Sequence, residues 1–156
     1  MKVEKRFRSV LMKKYSKFAL AYAIFALACG VYFREFTKFN NFTQKTTLGV
    51  AHLHPLVLGC VVFLIVGILS VVTDIEKRKT FKWFMITYNV ALPYMTIMFL
   101  VRGSLQVVGA NLTAGKDGML SGFAGIAHIL MAIAIVLFFV SLLKSSVTIN
   151  KNDKIE

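Results

Sequence analysis

The stretch LGVAHLHPLVLGCVVFLIVGILSVV, residues 48–72, decides the fold of this chain. It contains no Lys, Arg, Asp or Glu, and a helix of about 20 predominantly apolar residues is long enough to cross the hydrocarbon core of a bilayer. Two histidines and a proline stand near its beginning, at His52, His54 and Pro55. The stretch therefore predicts a membrane-spanning helix that carries titratable side chains close to one end.

Three further apolar runs accompany this stretch, in a chain that is 57% hydrophobic with a mean hydropathy of +0.69. That much apolar surface exceeds what one small soluble core can bury. In lipid the backbone must be hydrogen-bonded within each segment, so each run is expected to be a helix. We predict an all-α integral membrane protein, a single domain over residues 1–156 that forms an antiparallel bundle of four transmembrane helices at about 17–34, 48–72, 83–108 and 119–143.

The net charge of +12 is concentrated beside the apolar runs. Seven Lys or Arg precede the first run, four lie between the second and third, and three follow the fourth, which makes fourteen of the nineteen. Basic residues are retained on the cytoplasmic side of a membrane protein, so both termini are expected in the cytoplasm. We expect a multi-pass protein of the bacterial cytoplasmic membrane whose basic segments contact lipid headgroups, with no nucleic acid as partner.

The three histidines lie at a similar predicted depth. His54 follows Lys45 by nine residues, and His128 follows Asp117 by eleven. Because the second and fourth helices run in the same direction, at about 1.5 Å per residue these histidines and His52 lie within roughly 6 Å of one another in depth. The positions predict one polar layer in the outer leaflet.

His52 and His54 are two residues apart and therefore point about 200° apart around their helix. His52 shares its face with Gly59, whereas His54 shares its face with Leu58. The helical periodicity of the neighbouring residues favours His52 as the residue that faces the bundle, whereas the predicted depth in the membrane favours His54. The sequence leaves this choice open.

Ionisable residues inside membrane helices are costly and tend to mark functional sites. His128 lies on a stripe of mostly small residues that includes Gly125, which would let a helix or a flat ligand approach closely. Arg102, on the third helix, is a candidate counter-ion for an anionic group at this level. We predict a shared cofactor site with His54 and His128 as metal ligands, formed by His54, His128, His52, Arg102, Gly125 and Gly59.

Two histidines on parallel helices suit haem b better than zinc or copper. Haem iron takes one imidazole from each side, whereas a tetrahedral site needs three or four ligands at about 2 Å. We expect a membrane haem protein that takes part in electron transfer with a quinol or a partner subunit, or in gas sensing. One alternative is a non-catalytic scaffold or small transporter subunit whose histidines bond helices together; a copper or zinc site is the other. No soluble catalytic motif is present, and whether the protein is an enzyme stays open.

The motif HLHPLVLG, at residues 52–59, resembles a His-x-His-x-x-x-Leu-Gly stretch of small bacterial four-span membrane proteins of unknown function. The likeness covers the whole chain, including GIAHILM at residues 125–131. More distantly, both motifs resemble histidine-bearing helices of haem-copper oxidase and nitric oxide reductase subunits. Those subunits have twelve helices and enough histidines for a binuclear centre, whereas this chain has three histidines, so the resemblance implies at most one b-type haem.

Overall fold

The computed structural model describes the backbone of residues 2–148 and the side chains of residues 6–148. Four of its helices are long and apolar enough to cross a membrane: α1 (Lys2–Phe39), α2 (Leu48–Val72), α3 (Lys79–Val107) and α4 (Ala114–Leu143). A short 3-10 helix, Ile75–Lys77, joins α2 to α3. The predicted all-α four-helix bundle is confirmed. Two basic residues of the predicted C-terminal cluster, Lys151 and Lys154, lie outside the described residues.

The helices extend beyond the predicted spans. α1 has 38 residues, which corresponds to about 57 Å, whereas the hydrocarbon core is about 30 Å thick. The predicted span was limited to the apolar run, but Lys, Arg and Glu are good helix formers and carry the helix onward at both ends. The basic N-terminal part of α1 therefore projects beyond the apolar layer.

α2 changes its helical geometry along its length. It is α-helical over Leu48–Ala51, forms a wider π-helical turn over Pro55–Val61, and is α-helical again over Val62–Val72. A proline has no backbone N–H to donate, and such wider turns occur where the regular hydrogen-bond ladder is interrupted. The Tyr88 hydroxyl of α3 donates to the Leu58 carbonyl oxygen at 2.6 Å, which satisfies one acceptor inside the π-helical turn.

Aromatic side chains connect all four helices in the buried core. Phe63 of α2 stacks on Tyr22 of α1, with ring centroids 5.5 Å apart, and meets Tyr88 of α3 edge-on at 5.8 Å. Phe84 of α3 extends the cluster to Phe138 of α4, with ring centroids 5.0 Å apart. Aromatic pairs in these arrangements contribute about 0.5–1.5 kcal/mol each beyond their burial, so this cluster is a main source of contact between the helices.

Two glycines allow close approach between neighbouring helices. A Cβ atom built at Gly59 of α2 would lie 2.4 Å from the Cγ atom of Tyr22 on α1. A Cβ atom built at Gly103 of α3 would lie 2.5 Å from the backbone nitrogen of Leu48, at the start of α2. In sequence order, α1 packs against α2, α2 against α3, and α4 chiefly against α3.

The start of α1, the α2–α3 connection and the residues after α4 meet at one end of the bundle, which we call the basic end. Asp74 joins the α2–α3 connection to the residues after α4. Its carboxylate accepts hydrogen bonds from the Arg78 guanidinium at 2.6 and 2.8 Å and from the Ser146 backbone N–H at 2.7 Å. The hydrogen bond from Arg78, followed by that from Ser146, holds the pKa of Asp74 below its ordinary value. The location of this end in the cytoplasm remains a prediction from the charge distribution.

Candidate functional site

His54 and His128 both contact one aromatic ring, that of Phe99. The His54 ring centroid lies 4.6 Å from that of Phe99, and the His128 centroid lies 5.9 Å from it, in an edge-on arrangement. The two imidazole centroids are therefore separated by no more than the sum of those distances. α2, α3 and α4 thus each bring one ring to the same level, and we call these three residues the histidine cleft.

The proton position on both imidazoles follows from their hydrogen bonds. Nδ1 of His54 lies 2.9 Å from the Val50 carbonyl oxygen, and Nδ1 of His128 lies 2.8 Å from the Ala124 carbonyl oxygen. A carbonyl oxygen can only accept, so Nδ1 carries the proton in each ring. In the neutral form, Nε2 then holds a free lone pair, which is the arrangement found in metal-binding histidines.

The histidine cleft is open to the surroundings of the bundle. His128 is exposed and His54 is partly exposed, while α4 packs chiefly on α3 and away from α2. Beside His128, a Cβ atom built at Gly122 or Gly125 would meet no other atom of the described chain within 4 Å. The small-residue stripe therefore faces outward from the described chain beside the exposed imidazole.

Arg102 lies three residues beyond Phe99, one turn nearer the α3–α4 loop. Its guanidinium donates to the Ser121 hydroxyl at 2.8 Å and to the Asp117 carboxylate at 3.1 Å. A guanidinium has five N–H donors, so these two hydrogen bonds leave three for a further acceptor. Arg102 is therefore fixed beside the cleft and retains donors for an anionic group.

His52 and Gly59 lie on the other side of α2, facing α1. The His52 ring stacks on Phe33 with an interplanar angle of 12° and a centroid distance of 6.3 Å, and it packs over Gly30. Gly59 packs against Tyr22. Of the six residues predicted for the site, the structure brings four to the cleft and its border, namely His54, His128, Arg102 and Gly125, and it groups His52 and Gly59 on the opposite face of α2.

Phe99 is the cleft residue that sequence reasoning missed. It is one of many apolar residues in α3, and apolar residues carry no individual signal of a site. The spacing of three residues between Phe99 and Arg102 places both on one helical face, and this spacing is the only sequence feature that could have indicated it.

Within residues 6–148, no group of three or more His, Cys, Asp or Glu side chains is arranged to hold a metal ion. No curated protein and no solved structure matches the chain, and the likeness to oxidase and reductase helices stays a resemblance. A family model does match, over residues 12–145, a range that includes the histidine cleft. The expected membership in a family of unknown function is thereby confirmed: the chain belongs to the family described as protein of unknown function DUF2871.

Proposed function

We propose that this membrane protein binds one haem b in the histidine cleft, where His54 and His128 would hold the iron, and that it transfers electrons. The observation that carries the proposal is the pair of imidazoles on α2 and α4, each with its proton held on Nδ1 and its Nε2 left free, against one shared phenyl ring. Haem, when bound, supplies a one-electron redox centre.

The chain's own residues fit such a group in three ways. The carbonyls of Val50 and Ala124 orient the two imidazoles and raise the basicity of Nε2. The ring of Phe99 lies beside both imidazoles and gives that part of the cleft an apolar wall. Gly125, on the same face of α4 as His128, has no neighbour of the described chain that a Cβ atom would meet within 4 Å, so a flat group could approach this face closely.

Arg102 supports the orientation of the group. Haem carries two propionates, and a guanidinium with free donors forms strong charge-assisted hydrogen bonds with carboxylates. Arg102 lies one turn from Phe99 toward the α3–α4 loop, where its guanidinium would hold a propionate. Asp117 already balances part of the Arg102 charge.

Electron transfer is favoured over gas sensing by the number of ligands. If His54 and His128 both held the iron, no coordination position would remain open for a gas. A membrane quinol or a partner subunit is the expected redox partner.

The scaffold alternative requires histidines that bond helices together. Within residues 6–148, the hydrogen bonds of His54 and His128 go to carbonyls of their own helices, and the buried Nδ1 of His52 has no partner. A zinc or copper site requires three or more ligands, and haem iron needs only the two that the cleft provides. These observations favour haem over both alternatives.

The test is the visible spectrum of the detergent-purified protein, expressed in cells supplied with 5-aminolaevulinate and recorded before and after dithionite reduction. The wild-type protein is expected to show sharp α and β bands when reduced. His54→Ala and His128→Ala are each expected to lose most of the bound haem. His52→Ala is the matched control, because it removes an imidazole two residues from His54 but on the opposite face of α2, and it should retain the bands.

A colourless wild-type protein under these conditions would overturn the proposal. Equal retention of haem by all three variants would place the haem elsewhere and also overturn it. Loss in His52→Ala alone would assign the ligand to the other face of α2.

A further inference from the structure

A second lateral cavity lies between α1 and α2, on the face of α2 opposite the histidine cleft. It has a volume of about 280 Å³, and its walls are almost entirely apolar. Ala26, Leu27 and Val31 of α1 form one wall, and Leu56 of α2 forms part of the other. Since Leu27 and Val31 are also highly exposed, the cavity opens toward the hydrocarbon layer. An occupant would enter from the membrane.

The polar lining of this cavity consists of two donors. The first is His52, whose ring position is set by Phe33 and Gly30. Its Nδ1 is buried and has no hydrogen-bond partner among residues 6–148. A buried N–H without a partner is costlier than a buried lone pair, so the proton is expected on Nε2. His52 then offers an N–H to an acceptor in the cavity.

The second donor is the guanidinium of Arg34 on α1, which also borders the cavity. Arg34 is paired with the adjacent Glu35 and uses only part of its five donors. Gly30, which underlies His52, precedes Arg34 by four residues, so the two side chains border the cavity at levels about one helical turn apart along α1. The cavity therefore presents two donors at separate points along an apolar groove.

We propose that this groove binds the headgroup of an isoprenoid quinone or quinol. A quinone has a flat ring with one oxygen on each of two opposite edges and an apolar tail, which matches two separated donors and an apolar wall. A phospholipid is the competing occupant, but its phosphate oxygens are all bonded to one atom and would favour clustered donors. The complementarity in hydrogen bonding and in apolar shape therefore favours the quinone.

The position of the groove extends the proposed electron-transfer role, on which the redox part of this inference rests. His52 and His54 are two residues apart, about 3 Å along the axis of α2, and they face opposite sides of it. A quinone ring at His52 would thus be separated from the histidine cleft only by the thickness of one helix. The His-x-His spacing would place the membrane-soluble partner and the cofactor on two faces of α2.

The test measures binding by calorimetry, which does not depend on haem. The quinol analogue 2-heptyl-4-hydroxyquinoline N-oxide is titrated into the full-length protein in detergent, and dihexanoyl phosphatidylglycerol is titrated separately. We expect saturable binding of the analogue at one site per chain, at least tenfold weaker in His52→Ala. Circular dichroism checks that each variant is folded.

A pair of substitutions at Gly30 provides a graded control. A Cβ atom at this position would lie 3.7 Å from the Cβ atom of His52, an ordinary contact, so Gly30→Ala should bind within about threefold of the wild-type protein. Gly30→Leu adds a branched side chain that fills the groove and should abolish binding. His54→Ala should bind the analogue normally even where it has lost haem, which separates this inference from the proposed function.

No saturable binding by the wild-type protein would overturn the inference. So would binding that neither His52→Ala nor Gly30→Leu weakens. Saturable binding of the phosphatidylglycerol alone, sensitive to the same substitutions, would assign the groove to a phospholipid and equally refute the quinone.

Discussion

Gly103 of α3 packs closely against the start of α2, the helix that carries His54. The substitution Gly103→Ala disturbs this contact directly. The added Cβ atom would lie 2.5 Å from the Leu48 backbone nitrogen and 2.6 Å from the Leu48 Cγ atom. Carbon atoms pack at about 3.5–4.0 Å, so the start of α2 must move by about 1 Å. A backbone atom cannot move aside as the end of a flexible side chain can.

The same displacement weakens the hydrogen bonds that join α2 to α3. The Thr46 hydroxyl donates to the Gly103 carbonyl oxygen at 3.1 Å, and the Thr47 backbone N–H donates to the Gln106 side chain at 2.9 Å. Overpacking costs about 1–3 kcal/mol, and the two hydrogen bonds, which are weakened and not broken, together cost about 1 kcal/mol. The higher helix propensity of Ala offsets about 1 kcal/mol. The net expectation is a loss of about 2 kcal/mol in the free energy of unfolding.

Thermal unfolding followed by circular dichroism in one detergent measures this loss. At roughly 2–4 °C per kcal/mol, Gly103→Ala should lower the midpoint by about 4–8 °C. Gly122→Ala is the matched control, since a Cβ atom there would meet no other atom of the described chain within 4 Å. The control should unfold at or slightly above the wild-type midpoint. If Gly103→Ala unfolds at the same temperature as the control, the close contact between α2 and α3 is wrong.

Three further outcomes are expected. Tyr88→Phe leaves the Leu58 carbonyl oxygen in the π-helical turn without its donor, so the free energy of unfolding should fall by about 1–3 kcal/mol. Tyr94→Phe, which removes a more exposed hydroxyl, should cost less. Equal losses in the two thermal midpoints would contradict this. Because the pKa of folded Asp74 is lowered from an ordinary value of 3.8, its stabilising effect is complete above that value and is lost as the pH falls through the lowered pKa. Asp74→Asn should therefore unfold below the wild-type midpoint at pH 7, with the difference shrinking only below about pH 4, and a difference that does not depend on pH would refute this origin. Reporter fusions that are active only in the cytoplasm should be active at both termini, and activity at only one terminus would exclude an even number of spans.

The architecture of this chain was largely predictable because hydrocarbon length and the absence of charge delimit each span. The ends of the helices could not be predicted in the same way, since residues such as Lys and Glu continue α1 beyond the apolar layer without leaving a hydrophobic signal. The sequence also could not distinguish the neighbours of His52 and His54. Periodicity correctly grouped His52 with Gly59, but the shared neighbour is α1, whereas His54 faces α3. Both histidines face a helix, and the choice of helix depends on tertiary packing.

The histidine cleft, too, could be predicted from the sequence only in part. Depth counting placed His54 and His128 at one level, and the structure brings both to Phe99. The hydrogen bonds to Val50 and Ala124, which leave Nε2 free, depend on side-chain rotamers that a sequence does not specify. Arg102 was identified by its charge, but its pairing with Asp117 and Ser121 requires α3 and α4 to be neighbours.

The most direct test of the central claim is a crystal structure of protein purified from cells supplied with 5-aminolaevulinate, with diffraction data collected at the iron absorption edge. The haem proposal predicts a single anomalous peak per chain within ligand distance of Nε2 of both His54 and His128. An anomalous map without an iron peak, or with a peak distant from these two nitrogen atoms, would contradict it.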